Sequence, residues 1–178
     1  MLNKAVKNLI GTGILDSRRI FTTNKEYSRF LKPRDRNYDM KPTGLWYAIG
    51  DSWLEWCMGA EFNGIGNYVY EVELNPKSNI LVLDNKEQVF AFAKNKKYAN
   101  TGPGYEFMEG SFIDWKKVMS EYDGIEINPY FYDLRFDLGL LWYYGWDVPS
   151  GCLWKANAKK KINLIAEYSD KKKEFVIL

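Results

Sequence analysis

The chain has 178 residues, of which 46% are hydrophobic, 17% aromatic and 27% charged, and its formal net charge is +2. This composition excludes a disordered chain, and the near balance of charge does not indicate the basic surface of a typical nucleic-acid-binding domain. The sequence has no histidine, which excludes Ser-His-Asp, Cys-His and histidine–zinc mechanisms. Its two cysteines, Cys57 and Cys152, form no CxxC pair, and we expect both to be reduced and buried.

We expect no secretory signal, and the sequence has no apolar stretch of the roughly 20 residues that a membrane span requires. Neither GxxxxGK[ST] nor GxGxxG occurs, so the common phosphate-binding loops are excluded. We therefore predict a soluble, cytoplasmic single domain over residues 1–178 that has no metal site and no membrane contact. The sequence does not indicate an oligomeric state.

The N-terminal half is predicted to mix short helices and strands, because apolar residues recur at helical spacing in some segments and alternate in others. The predicted elements are a helix within 1–15 that ends near Gly11 or Gly13, a strand at 19–23, a helix at 24–31, a loop at 32–43, a strand at 44–49, a helix that begins after Asp51 or Ser52, and strands at 67–74 and 80–83.

The C-terminal half follows the same irregular pattern. Its predicted elements are a helix that begins after Asp84 or Asn85, a glycine-rich loop at 99–110, a helix that begins after Ser111 or Asp114 and ends before Tyr122, a strand at 123–127, a strand or aromatic segment at 138–146, and closing strands at 162–165 and 175–178. Strands separated irregularly by short helices predict a mixed α+β fold rather than a regular βαβ array.

Glu126 is the first candidate for chemistry. It lies between Ile125 and Ile127 in the predicted strand DGIEI. Side chains alternate between the two faces of a strand, so Glu126 points away from its two apolar neighbours, either to solvent or into a cleft. An exposed glutamate on a half-buried strand is the structural alternative.

The order of several tracts resembles the ADP-ribosyltransferases of the diphtheria-toxin-like and PARP-like kind. The tracts are RIFTT, KPTGLWYA, SWLEWC, YVYEVEL, NILVLDN, IDWKKVMSEYDG and GIEINPY. The resemblance implies a split mixed or antiparallel β-sheet with short helices around a central NAD cleft. It covers residues 18–130, with an N-terminal helix in 1–17 before it and aromatic-rich strands in 131–178 after it.

The resemblance also implies that NAD is the substrate, and it assigns roles to the residues around the nicotinamide ring. Tyr47 would stack on nicotinamide, with Trp46 on the opposite face of the strand and Gly44 at its start within the same site. Trp53 or Trp56 would pack on the other side of the ring. An aromatic cage suits a flat cationic ring.

The acid and the first strand complete the implied site. Glu126 would orient the nicotinamide ribose and stabilise the oxocarbenium-like centre that forms as nicotinamide leaves. The family carries a histidine or an arginine on its first strand, and here Arg19, or the hydroxyls of Thr22 and Thr23, would take that place. Gly124 stands where arginine-directed transferases carry Glu or Gln, which disfavours an arginine acceptor.

The implied function is transfer of ADP-ribose from NAD to a macromolecular acceptor, a protein or a nucleic acid, or hydrolysis of NAD, as in a toxin or a host-modifying factor of viral or phage origin. Asp147 and Trp146, in the aromatic tract after the shared region, are candidates for a cap or an acceptor site, with dense core packing as the alternative. Two other functions remain open. One is an inactive module that binds a nucleotide or single-stranded nucleic acid through an aromatic pocket. The other is a glycosidase or nuclease that uses Glu126 with Asp123 or Asp147.

Overall fold

The computed structural model describes residues 2–30, 33, 40–99 and 111–178. Within them the chain forms one open mixed sheet of eight strands and several short helices, which confirms the predicted α+β class. The strands are β1 (Arg19–Thr23), β2 (Leu45–Ile49), β3 (Tyr68–Leu74), β4 (Ile80–Leu83), β5 (Gly124–Ile127), β6 (Ser150–Leu153), β7 (Lys159–Ser169) and β8 (Glu174–Ile177). The α-helices are α1 (Leu2–Ile10), α2 (Ser52–Gly59), α3 (Lys86–Ala93) and α4 (Trp115–Glu121), and 3-10 segments lie at Tyr132–Leu134, Leu138–Gly145 and Ala156–Ala158.

The strand order across the sheet is β4-β5-β6-β2-β1-β3-β7-β8. All neighbouring strands are antiparallel except β4 and β5, which are parallel. Strand β6 therefore lies in the interior of the sheet, between β5 and β2, although it comes late in the chain.

The junction between β1 and β2 is narrow. Only two positions pair there, Arg19 with Ile49 and Ile20 with Ala48. Beyond them β1 continues along β3 as far as Thr23, while β2 pairs with β6 back to Leu45. The two halves of the sheet are thus joined at one end of β1 and β2 and are unpaired at the other.

The α-helices pack on one face of the sheet, which we call the helix face. Helices α1 and α2 pack with Ile20 and Val69, whereas α3 and α4 pack with Ile125 and Ile127. The opposite face, which we call the loop face, has a smaller core around Tyr47 that also holds Tyr27 and Phe30 from the segment after β1. The sheet therefore has two chemically different sides.

The segment after β1 was predicted as a helix at 24–31, and this prediction is wrong for 24–30, which form no helix. The backbone N–H of Tyr27 donates to the Tyr70 hydroxyl at 2.8 Å instead of to a helical carbonyl. The Tyr27 ring packs edge-on against Phe21 and Tyr70. These tertiary contacts override the helical spacing of the apolar residues.

Three further differences concern the C-terminal half. Residues 138–146 form 3-10 turns, not a strand, because an apolar run of this length fits either structure and the Asp137 carboxylate caps its first turn by accepting from the Gly139 N–H. Strand β6 was not predicted, and β7 extends over eleven residues where four were expected. The predicted loops at 32–43 and 99–110 lie largely outside the described residues.

Candidate functional site

Arg19, Tyr47 and Glu126 meet on the loop face, although they come from three different strands. The Glu126 carboxylate accepts from Arg19 Nε at 2.6 Å and from Arg19 Nη2 at 3.0 Å. The Tyr47 hydroxyl donates to the same carboxylate at 2.7 Å. The Glu126 side chain is only 9% exposed, whereas Arg19 is 34% exposed. We call these three residues the carboxylate cluster.

The strand register explains how residues so far apart in sequence come together. Tyr47 pairs with Gly151 of β6, and Gly151 pairs with Glu126 of β5. Tyr47, Gly151 and Glu126 therefore lie in one row across the sheet. A Cβ atom on Gly151 would lie 2.4 Å from the Tyr47 ring. The absence of a side chain at Gly151 is therefore what lets the Tyr47 ring cross β6 and reach Glu126.

Electrostatics in the carboxylate cluster fix the proton positions. The hydrogen bond to Glu126 raises the pKa of Arg19, so the guanidinium stays charged. Burial, and then the charge of Glu126, raise the pKa of Tyr47 well above its ordinary value, so the phenol keeps its proton and donates it to the carboxylate. A carboxylate offers about four acceptor positions. The described residues occupy three of them, and the fourth, on Oε1, is unused by this part of the chain.

A cavity of about 240 Å³ lies where β1 and β2 part. Its walls come from both strands, from helix α2 and from the segment before β6. The lining residues are Ile20, Phe21, Thr22, Lys41, Trp46, Tyr47, Ala48, Trp53, Gly64, Asp147, Val148 and Ser150. Ile20, Thr22, Trp46 and Ala48 line it from the helix face, and Phe21 and Tyr47 come from the loop-face core, so the cavity extends into the gap between β1 and β2. We call it the aromatic cavity.

Two opposite charges face the aromatic cavity. The Lys41 ammonium lies 5.1 Å from the centre of the Trp46 ring and 3.7 Å from Asp147 Oδ2. Asp147 Oδ1 accepts from Arg135 Nη2 at 2.8 Å. Burial is the largest influence on Lys41 and lowers its pKa, although the nearby Asp147 acts in the opposite direction. Asp147 is therefore bound closely by Arg135, while Lys41 lies between Asp147 and the Trp46 ring at longer distances.

The predicted site residues divide between the two faces. Arg19, Tyr47 and Glu126 come together on the loop face. Trp46, Trp53, Thr22 and Asp147 line the aromatic cavity and have no described contact with Glu126, whereas Tyr47 borders both regions.

The remaining candidates lie beside these two regions. Trp56 stacks on Trp53 with ring centres 5.1 Å apart. Trp146 is fully buried and packs edge-on against Trp46. The Thr23 hydroxyl accepts from the Lys25 N–H, and Gly44 packs on β6, where a Cβ would lie 2.3 Å from the Leu153 carbonyl oxygen.

The glycosidase or nuclease alternative requires a second acid beside Glu126, and neither of the two candidates lies there. Asp123 Oδ1 is bound by Lys155 at 2.8 Å, and its Oδ2 accepts from the Asn79 N–H. Three residues along a strand separate it from Glu126 by about 10 Å of backbone. Asp147 lies on the opposite face of the sheet from Glu126. The carboxylate cluster thus contains one acid, and its partner is a cation.

Sequence reasoning missed Lys41, Arg135 and Gly151. Lys41 stood in a predicted loop, where a lysine is ordinarily a solvated charge. Arg135 had no motif around it. Gly151 lies in a short SGCL tract with little strand propensity, and only the knowledge that a ring must cross β6 would have marked it.

The described residues contain no group of three or more side chains placed to hold a metal ion. No helix in the described part of the chain is long and apolar enough to cross a membrane. Comparison of the chain with protein-family models, with curated proteins and with solved structures found no match. A functional argument therefore has to rest on the geometry of the two regions.

Proposed function

We propose that the protein cleaves the bond between nicotinamide and ribose in NAD, as an ADP-ribosyltransferase or an NAD glycohydrolase. The observation that carries the proposal is the carboxylate cluster. The resemblance assigned Tyr47, Glu126 and either Arg19 or the hydroxyls of Thr22 and Thr23 to one NAD site. Of these, Arg19 and Tyr47 both donate to the Glu126 carboxylate.

The chemistry suits these residue types. As nicotinamide departs, positive charge develops on the ribose, and a fixed carboxylate stabilises that charge most effectively where water is scarce. Glu126 is buried and is held by two partners, so it needs no reorganisation during the reaction. Its unused acceptor position on Oε1 is available to a ribose hydroxyl. The partly exposed edge of Arg19 can bind an anionic part of the substrate, such as a phosphate.

The narrow junction between β1 and β2 also supports the proposal. The ADP-ribosyltransferase-like fold has a split sheet around the NAD cleft, and here β1 and β2 pair at only two ladder positions in the described chain. Under the proposal, NAD enters from the loop face beside Arg19. Tyr47 is only 2% exposed, so we assign it the role of positioning Glu126 rather than of stacking on nicotinamide.

The first test is calorimetric titration of the protein with NAD, followed by assay of free nicotinamide. Wild type should bind NAD and release nicotinamide. Glu126→Gln keeps the size of the side chain and a hydrogen bond from Tyr47 but removes the charge, so release should fall by at least about a hundredfold. Glu73→Gln is the matched control, because Glu73 pairs with Lys160 on the outside of the sheet. It should retain full activity.

Two results would count against the proposal. Absence of both NAD binding and nicotinamide release in the wild type would remove it. Equal loss of activity in Glu126→Gln and Glu73→Gln would show that the carboxylate cluster has no special part in the reaction. If release occurs, NAD labelled on its adenylate half identifies the acceptor, because label on protein or nucleic acid indicates transfer and free ADP-ribose indicates hydrolysis.

A further inference from the structure

We infer that the free edge of β8 is an interface, on which a second copy of the chain pairs its own β8 to form an antiparallel dimer with one continuous sheet. In the described sheet β8 is a terminal strand and pairs only with β7. Strands β3 and β7 separate it from β1, so the dimer leaves the carboxylate cluster free. The inference does not depend on NAD cleavage.

The register of β8 shows which of its backbone groups face outward. The Leu178 N–H donates to the Ile165 carbonyl at 3.1 Å, and the ladder between β7 and β8 has no bulge. Because hydrogen-bonded and non-hydrogen-bonded pairs alternate in an antiparallel ladder, Phe175 and Ile177 direct their N–H and C=O groups away from β7. Outside the ladder, the described residues provide no partner for these groups. They are therefore open to another strand.

The side chains of β8 do not protect this edge. Natural sheets discourage pairing with other copies by placing lysines, proline or a bulge on their edge strands. The part of β7 that extends past β8 has this protection, because residues 159–161 are three lysines. After Glu174, β8 has only apolar residues, and its Ile177 side chain is 43% exposed. The unprotected part of the edge is thus β8 itself.

The geometry favours a second copy of the chain as the added strand. A two-fold axis at Val176 places Phe175 opposite Ile177 of the second copy, so each outward N–H meets an outward C=O. The same axis pairs apolar side chains on both faces of the sheet, which stabilises cross-strand contacts. The contact closes as a dimer, which is the commonest symmetric assembly. A net charge of +2 opposes it little.

The opposite edge of the sheet, formed by β4, is different. Just past β4, the Gln88 side chain accepts from the Asp84 N–H at 2.8 Å, so the protein fills part of that edge itself. Pairing of β8 with β4 of another copy would also join molecules head to tail in an open chain. Val82, which is 48% exposed on β4, therefore supplies a matched control position.

The test is sedimentation equilibrium of wild type and three variants from micromolar to millimolar concentration. Wild type should reach twice the monomer mass of 20.9 kDa. Ile177→Pro removes an outward N–H and no donor to β7, so the dimer should dissociate at least about tenfold more readily. Ile177→Lys should also weaken the dimer, because a lysine protects an edge strand. Val82→Lys adds the same charge at β4 and should dimerise like wild type.

Three results would overturn the inference. Wild type that stays monomeric over this range lacks the interface. A dimer that survives both Ile177 substitutions is held together elsewhere. A dimer lost in Val82→Lys, or a mass that rises well beyond twice that of the monomer, assigns the contact to β4. Circular dichroism checks the fold of each variant, and Ile177→Lys carries the test if the proline variant unfolds, because this side chain is exposed.

Discussion

The two faces of the sheet use charge in opposite ways. On the loop face, Glu126 is enclosed by a guanidinium and a phenol, and three of its acceptor positions are filled. Beside the aromatic cavity, Asp147 is held by Arg135 at 2.8 Å, and Lys41 forms a longer ion pair with it at 3.7 Å. A charged group whose hydrogen-bonding positions are filled is held in one geometry, whereas a charged group with open positions is available to a ligand.

The difference teaches that burial and availability are separate properties of a charged group. Glu126 is the more buried acid, with 9% side-chain exposure against 16% for Asp147, and under the NAD proposal it stabilises a charge that appears only during the reaction. Separate substitutions test the two kinds of group, and the following predictions start with the largest expected effect.

Glu126→Ala should destabilise the protein by about 2–3 kcal/mol. Removing one partner of a fully buried pair costs roughly 3–5 kcal/mol, and the cost is smaller here because Arg19 is a third exposed and regains water. Urea denaturation followed by circular dichroism measures the change. Glu73→Ala, on the exposed pair with Lys160, should move the midpoint far less. Equal shifts would mean that the carboxylate cluster contributes no more than a surface pair.

Gly151→Ala should cost about 2 kcal/mol, because overpacking of a well-packed core typically costs 1–3 kcal/mol. The new methyl group would lie 2.4 Å from the Tyr47 ring and 2.8 Å from the Ile125 carbonyl oxygen, so the ring must move away from Glu126. Gly59→Ala is the control, since a Cβ there meets nothing within 4 Å. In the same denaturation experiment, a Gly151→Ala midpoint equal to that of Gly59→Ala would refute the crossing of Tyr47 over β6.

Tyr47→Phe should cost about 1–2 kcal/mol at neutral pH through the lost hydrogen bond to the carboxylate. It should also change how stability falls with rising pH in the alkaline range. Because the pKa of Tyr47 is raised from 10.0, the folded protein keeps a proton that the unfolded chain loses above that pH. Wild type therefore loses stability as pH rises from about 10 toward the raised pKa. The variant should lose less, and equal slopes in urea midpoints would contradict this.

Lys41→Met should have the smallest effect on stability and one of opposite sign. Burial lowers the pKa of Lys41 from 10.5, so the unfolded chain holds this proton more tightly than the folded protein does. This contribution to stability is present above pH 10.5 and is lost as pH falls through the lowered pKa. Lys41→Met removes that loss, so it should slightly stabilise the protein at neutral pH. Thermal melts should show no decrease, and a clear decrease would mean that the pair with Asp147 outweighs the burial of the charge.

Local patterns in the sequence were sufficient for most elements of the fold. The alternation in YVYEVEL and the short apolar tract ILVL predicted β3 and β4. Asn85 and Asp114, each one of two expected capping residues, cap α3 and α4. Patterns failed where tertiary contacts decide. Tyr27 is held by Tyr70, and β6 exists because its neighbours β5 and β2 supply both edges. No local property of the SGCL tract predicts that it forms an interior strand.

The candidate site shows the same limit. The sequence singled out Glu126, Tyr47 and Arg19, and their meeting through one carboxylate follows from strand order, which residue spacing does not contain. Trp46 and Tyr47 are neighbours in sequence and both border the aromatic cavity, yet strand alternation places them on opposite faces, so Tyr47 reaches Glu126 and Trp46 does not. Lys41 contributes to the aromatic cavity through its position beside Asp147, which lies more than a hundred residues further along the chain. Local sequence patterns could not predict that contact.

The interior position of β6 has a consequence for the synthesis of the protein. Strands β1, β2 and β5 leave the ribosome before β6 does, but β5 and β2 have no shared neighbour until residues 150–153 are added. A nascent chain or a proteolytic fragment that ends near residue 130 therefore contains Arg19, Tyr47 and Glu126 without the strand that aligns them. The carboxylate cluster therefore depends on residues 150–153, which follow all three of its members in the chain.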